Sequence, residues 1–337
     1  MKTGNNPCDI IIPVWNKPAL TRRCLDSIYG NTDSPFNLIL VDNGSDAETK
    51  GILKSFEERH RNVTLTENAN NVGWVKAVNQ GIPLSKSPHI VLMNNDTVVR
   101  TAGWLDKLID IAGSEPDIGL VNPCFDTKNI IPRDKTFIEV DFCRGYCVLI
   151  RREVIDAIGL LDEAYGFGYY DDDDYSMRAI RAGFRCVMAP GVYVEHLRDS
   201  TFSSIFDEKA RMDLHEKNKE LFFSKWGRRL KLAFFITGRP DEEELSRLLM
   251  SLARRQHVIH VWTRPGAPIS CEHINIRQKA FSPNLFNVAF FGTFLLNRLK
   301  REGKRYDLIF SDRGMNIASQ SGEILKSAEE RSKIRHA

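Results

Sequence analysis

Short apolar runs that each end in a polar cluster constrain this chain more than any other feature. "CDIIIPV" (8–14) is β-branched and closes at a proline, "FNLILVDNGS" runs into Asp, Asn, Gly and Ser, and "NVTLTEN" and "HIVLMNNDTVV" repeat the pattern. Such runs read as buried strands. Between them lie helical stretches: "KPALTRRCLDSIYGN" with Pro18 near its start, "AETKGILKSFEERHR" and "NVGWVKAVNQGIPLS". Strand–helix alternation implies βαβ units, parallel pairing and right-handed crossovers. Ligands of such sheets bind beyond the carboxyl ends of the strands. Pro13-Val14-Trp15-Asn16, Asp42-Asn43-Gly44 and Asn94-Asn95-Asp96 all fall there.

Downstream the pattern continues. "GWLDKLIDIAGSEPDIGLVNPCF" gives a helix and a strand, and "FIEVDFCRGYCVLIRREVIDAIG" gives a strand and a helix. "YYDDDDYSMRAIRAG" opens a helix, "RCVMAPGVYVEHL" is a strand ending at Glu195-His196, and a long polar helix closes the unit near residue 226. A second α/β unit, 227–337, follows with "LKLAFFITG", "DEEELSRLLMSLARRQ", "HVIHVWTR", "FNVAFFGTFLLNRLKREG" and "RYDLIFSD". The last ~20 residues, charged and Ser-rich, are expected to fray.

Charge narrows the partners. With 47 basic and 44 acidic residues the formal charge of +3 offers no argument for nucleic acid. The seven cysteines are odd in number and have no C-x-x-C spacing, so reduced thiols in a cytoplasm are expected. Cys143 and Cys147 read as core or strand thiols. No apolar stretch is long enough to span a membrane.

The candidate chemistry sits in three places. Asp96 ends a strand and could hold a divalent ion completed by phosphate and water, or simply make a turn. Asp42 could accept a hydrogen bond from a nucleobase imide or a ribose hydroxyl, or cap a helix. His196, at the end of "GVYVEH", is a metal-ligand type in a place where a satisfied polar residue is equally at home. The tetrad Asp171–Asp174 is either a catalytic carboxylate cluster or an acidic helix start. An EF-hand is excluded, because the loop lacks glycine at its sixth position and glutamate at its twelfth.

In combination, "IIIPVWN", "LVDNGSD", "NNVGWVKAVNQGI", "VLMNNDTVV", "GWLDKL", "FCRGYCVLIRREVIDAIGLLDE" and "GYYDDDDYSMRAIRAGFR", followed by "VEH", resemble family 2 glycosyltransferases over residues 8–226. The likeness is to rhamnosyl- and galactosyltransferases. The resemblance implies a GT-A fold, a Rossmann-like mixed sheet flanked by helices, and inverting transfer from a UDP- or dTDP-sugar with Mn²⁺ or Mg²⁺. It implies a glycan or lipid-linked acceptor hydroxyl, in surface polysaccharide assembly. By position it places Pro13, Val14 and Asn16 beside the nucleoside, Asp42 on the base, and Asn71, Gly73 and Asn79 in the flanking helix. Asn94-Asn95-Asp96 matches the D-x-D element, with Asp96 and His196 as metal ligands. Asn at 94 and 95 in place of Asp removes nearby negative charge, so weak metal affinity is expected without the donor's diphosphate. The acidic run matches "ED-x-D": Asp172 is the candidate base, Asp171 the alternate, Asp173 the solvated member and Asp174 the helix-start anchor.

Trp104, Tyr169 and Tyr170 are aromatic candidates for the acceptor side, with packing favoured for Trp104. Lys225, Arg228, Arg229 and Lys231 beside Phe222, Phe223 and Trp226 suggest either peripheral contact with anionic lipid or, weighed higher, a solvated linker. The second unit is similar to the opening strand–helix–strand of GT-B-type glycosyltransferases. It is too short for a complete two-domain enzyme of that type, and reads as an incomplete Rossmann-like unit without assigned activity. Two rival readings stand beside transfer: a nucleotidyltransferase, disfavoured because "PVWNKPALTRR" lacks a glycine-rich loop, and a nucleotide-sugar-binding module without turnover.

Overall fold

The computed structural model describes residues 8–124, 135–197, 206–238, 241–265, 269–297, 299–300, 304–312 and 320–333. Two compact units emerge: Met1–Ile138 with Phe142–Glu220, and Leu221–Ala337 with Glu139–Asp141.

The first unit contains β1 (Cys8–Val14), α1 (Pro18–Asn31), β2 (Phe36–Asp42), α2 (Ala47–Arg59), β3 (Val63–Glu67) and α3 (Trp74–Gly81). It continues with β4 (His89–Met93), β5 (Thr97–Val99), α4 (Trp104–Ser114) and β6 (Ile118–Cys124). After β7 (Ile138–Val140), at the unit boundary, come β8 (Cys147–Arg151), α5 (Arg152–Ile158), α6 (Asp171–Arg181) and β9 (Arg185–His196). The helix expected to close the unit, α7 (Glu208–Trp226), runs across its end.

The sheet order is β3-β2-β1-β4-β8-β6-β9-β5. Strands β3, β2, β1 and β4 are parallel, as the βαβ pattern requires. Strand β8 reverses the sense, pairing antiparallel with β4 and β6, and β9 returns parallel to β6. The sheet is therefore mixed. Every residue of β1 is buried, the usual state of a central strand covered on both faces. Buried Asp9 on that strand accepts from Ser85 Oγ and Ser87 Oγ at 2.7 Å each and from Asn37 Nδ2 at 2.7 Å. Burial opposes its charge, but these donors outweigh it and hold its carboxyl below the usual range.

Three local readings change. "HIVLMNNDTVV" is two strands about a turn, because β5 leaves its neighbour and pairs antiparallel with β9. "FIEVDFCRGYCVLIR" likewise splits into β7 and β8. The intervening turn is held by buried Asn122, whose Oδ1 accepts Arg144 N at 2.6 Å while Nδ2 donates to Arg144 O (3.0 Å) and Cys147 O (2.5 Å). A side chain 22 positions earlier than Arg144 thus satisfies backbone groups that a ladder would otherwise claim. The C-terminal stretch expected to fray contains a helix over Ser321–Lys333, with Ile324 and Ala328 buried at i,i+4 spacing. Residues 313–319 and 334–337 lie outside the described residues. All seven cysteines are buried and unbridged.

The second unit has strands β10 (Lys231–Ile236), β11 (Val258–Thr263), β12 (Ile276–Ala280) and β13 (Leu308–Ser311), in the order β12-β11-β10-β13 and all parallel. Its helices are α8 (Glu242–Arg254), α9 (Pro283–Asn297) and α10 (Ser321–Lys333). Asp241 caps α8 by accepting from Glu244 N at 3.0 Å. Among the described residues no helix is long and apolar enough to cross a membrane.

Candidate active site

The strand ends converge as the topology requires. Parallel register sets Val14 beside Asp42, and Asn43 N donates to Val14 O at 2.7 Å. Asn16 N donates to Ser45 Oγ (3.0 Å), Asn16 Oδ1 accepts from Asp46 N (2.7 Å), and Asn95 Nδ2 reaches Asn16 O at 3.4 Å. Pro13, Val14, Asn16, Asp42 and Asn95 are thus one connected rim. Asn16 and Lys17 both hold positive φ, 55° and 61°. Gly44 is required at φ 78°, since a Cβ there would lie 2.6 Å from the Asn70 carbonyl carbon.

Asp42 is fully buried. Its Oδ1 accepts from Ser45 N at 2.9 Å, while Oδ2 accepts no hydrogen bond and lies 3.9 Å from Lys50 Nζ. Asn71 and Gly73 reach this rim through Asn43, whose Nδ2 donates to Asn71 Oδ1 (2.8 Å) and Gly73 O (3.3 Å). Asn79 has other partners: Nδ2 donates to Leu161 O and Oδ1 accepts from Leu161 N, tying α3 to the loop after α5. Asn95 is also committed, donating to Thr21 Oγ1 at 2.9 Å and anchoring α1.

The pairing of Thr97 with His196 across β5 and β9 brings the next two groups together. His196 Nε2 lies 3.3 Å from Asp96 Oδ1, and Asn94 Nδ2 lies 3.4 Å from the same nitrogen. Adjacent ligands at ~2.1 Å on an octahedral ion sit about 3 Å apart, so the pair fits a divalent cation. Among the described residues no group of three or more His, Cys, Asp and Glu side chains could hold a metal. An ion here would take its remaining ligands from a bound molecule and water.

The acidic run begins α6, with all four aspartates in its first turn, where the helix dipole favours negative charge. The four are not equivalent. Asp171 is 6% exposed, and burial followed by the neighbouring Asp172 charge pushes its carboxyl well above the ordinary range. Asp172 is half-buried, and burial raises it too, opposed by the N–H groups of Gly145 and Asp173. Those donors lie at 2.9 Å from Oδ2 and 3.0 Å from Oδ1. Asp174 is buried and accepts from Tyr165 O–H at 3.2 Å, an anchoring contact.

The residues that bind these parts together are not among the candidate site residues of the sequence. Gly145 N holds Asp172, and the next residue, Tyr146, stacks on His196 with ring centroids 5.1 Å apart. Tyr146 O also accepts Asn94 N at 2.9 Å. One loop therefore joins the carboxylate cluster to the Asp96–His196 pair. Tyr169 and Tyr170 precede α6 with φ of 68° and 66°, a left-handed pair that costs free energy in non-glycine residues. Buried Asn218 braces it, donating to Tyr165 O (2.8 Å), Gly168 O (2.6 Å) and Tyr169 O (3.3 Å). Both tyrosine rings sit against His215, and Trp104 is fully buried with its indole N–H on Thr32 Oγ1. Sequence offered one signal for these braces, the polar "CRGYC" inside an apolar run.

Residues 9–159 match the family described as Glycosyl transferase family 2, and residues 133–212 that described as Glycosyltransferase like family 2. An uncharacterized protein y4gI of Sinorhizobium fredii is 25% identical over 228 residues, 57% of this chain but 24% of that protein. N-acetylglucosaminyl-diphospho-decaprenol L-rhamnosyltransferase of Mycobacterium tuberculosis is 24% identical over 251 residues, 60% of this chain and 79% of that one. This chain thus spans about a quarter of the first relative and most of the second. The solved mannosyltransferase PcManGT of Pyrobaculum calidifontis, in complex with GDP-Man and Mn2+, has a TM-score of 0.50 at 18% identity, covering 66% of this chain and 70% of that chain. At that identity the likeness is one of fold.

Proposed function

Residues 9–212 constitute a family 2 glycosyltransferase domain, and from that premise we propose that the chain is a metal-dependent, inverting hexosyl- or deoxyhexosyltransferase. The donor is a UDP- or dTDP-sugar, and the acceptor a hydroxyl of a glycan or lipid-linked glycan in surface polysaccharide assembly. Catalysis belongs to residues 1–226, in a cytoplasmic protein at the inner face of the membrane. We assign residues 227–337 no catalytic part.

The observation that carries this reading is the Gly145–Tyr146 link between Asp172 and the Asp96–His196 pair. Transfer with inversion is a single displacement. The acceptor oxygen attacks the anomeric carbon, its proton passes to a base, and the carbon–oxygen bond to the diphosphate breaks. Asp172 is the base: it is more open than Asp171, and the Gly145 N–H fixes its carboxylate. A divalent ion, when bound, neutralises charge on the departing diphosphate. Asp96 and His196 would hold it, with Asn94 on their flank. Asp42 Oδ2, buried and without a donor, suits the imide N–H of uracil or thymine.

The Mn2+ in the complex of the fold relative and the lipid-linked acceptor in the mycobacterial relative's name support a divalent metal and that acceptor class. Donor turnover with Mn²⁺, compared between wild type and Asp172→Asn, tests it. A wild type that binds UDP yet never releases it from a sugar nucleotide across an acceptor panel would instead be a binding module.

A further inference from the structure

Helix α9 is apolar on two opposite sides. One side presses on the second unit's sheet: Phe286 and Phe290 meet Phe235 with ring centroids 5.9 and 5.0 Å apart. The other side is open. Leu285, Val288, Phe291, Leu295 and, just past the helix, Leu299 are all exposed, with Val288 at 69%, Leu295 at 68% and Leu299 at 79%. At 3.6 residues per turn the four within the helix project within an arc of about 120°, opposite the two packed phenylalanines. A helix apolar all round is normally buried, and contiguous exposed apolar surface marks a contact site.

Positive charge gathers where this stripe ends. Asn297 Nδ2 donates to Tyr306 O (3.0 Å) and Asn297 Oδ1 accepts from Tyr306 N (2.8 Å), fixing the end of α9 beside a cavity of about 860 Å³. Lys231, Arg277, Arg305, Arg331, His260 and Tyr306 line it. Its carboxylate, Asp307, is already paired with Arg228 at 2.8 Å. Among the described residues no carboxylate lies within ion-pair distance of Lys231, Arg277 or Arg331. Burial, then Lys300 and Arg277, lower the Lys231 ammonium, with Asp307 opposing them. The cluster considered from sequence offers less: Phe222 is buried, Arg228 is held by Asp307 and Arg229 by Asp141.

We propose that α9 lies in the surface of an anionic phospholipid bilayer, its outer stripe among the acyl chains and the cations around the cavity on the lipid phosphates. Apolar stripe and adjoining cations are the two complementary features of an interfacial helix. The proposal stands on the second unit alone and does not depend on the transfer reaction.

Co-sedimentation of the full chain with vesicles of phosphatidylcholine, alone or mixed with phosphatidylglycerol, tests it. Binding to the mixed vesicles is expected, weakening with salt and at least about tenfold poorer on phosphatidylcholine alone. Val288→Ser with Leu295→Ser, and separately Arg277→Glu with Lys300→Glu, should each reduce binding about tenfold or more while melting temperature and turnover of a soluble acceptor hold. Equal binding by the stripe variant overturns the proposal. So does a wild-type dimer that the stripe variant converts to monomer without any vesicle binding, which would assign the stripe to a second copy. Tight calorimetric binding of inorganic pyrophosphate without vesicle binding would likewise replace the lipid surface with a soluble anion.

Discussion

Asp172 Oδ2 accepts the backbone N–H of Gly145 at 2.9 Å. This contact sets one carboxylate of four apart, since Gly145 adjoins the tyrosine stacked on His196. It orients Asp172 while burial keeps its proton affinity high.

Asp172→Asn should therefore lower kcat by about 10²- to 10⁴-fold with the donor KM little changed, because a general base acts in the transition state. Asp171→Asn should lower it less. Steady-state kinetics of both variants decide between them, and the reverse order would move the base to Asp171.

Stability should show opposite pH signatures for two sets of aspartates. Asp171 and Asp172 are raised in the folded protein. What they contribute is present below the unfolded carboxylate pKa and is lost as pH rises through their folded values. Asp171→Asn should thus raise the melting temperature at pH 7, with the gain vanishing in acid. Asp9 is lowered, so its contribution is present above the unfolded value and lost as pH falls through the folded one. Asp9→Asn should melt below wild type at pH 7 and converge with it in acid. Thermal melts across that range read both signs.

Metal binding should depend on nucleotide. With Asp96 and His196 as the protein ligands, Mn²⁺ alone should bind weakly and UDP should tighten it. His196→Ala should weaken Mn²⁺ in the UDP complex by about 10- to 100-fold, as measured by calorimetry. Tight Mn²⁺ binding without nucleotide would contradict this ligand set.

Gly44→Ala should cost more than about 1 kcal/mol, because alanine is strained at φ 78° and its Cβ would strike the Asn70 backbone. The expected fall in melting temperature is several degrees. An unchanged melt would mean that the 68–71 segment can move aside.

Local pattern was enough for much of this protein. Buried β-branched runs such as "CDIIIPV" declare strands, because few other structures can bury consecutive branched side chains. Alternation with helices declares parallel pairing, and that places Asn16, Asp42 and Asn95 at one edge. The acidic start of α6 was equally legible, since four aspartates suit a helix N-terminus. Other features arise only when distant segments meet. The antiparallel pairing of β5 with β9 brings Asp96 to His196, although a hundred positions separate them. Asn122 and Asn218 look like any surface amide in sequence, and become braces because the fold buries them beside unpaired carbonyls. Asn79, in the helix that the resemblance sets beside the nucleotide, also ties α3 to Leu161, a contact no local pattern announces. Within "DDDD" the residue types are identical, so only unequal burial and the Gly145 N–H separate the proposed base from its neighbours.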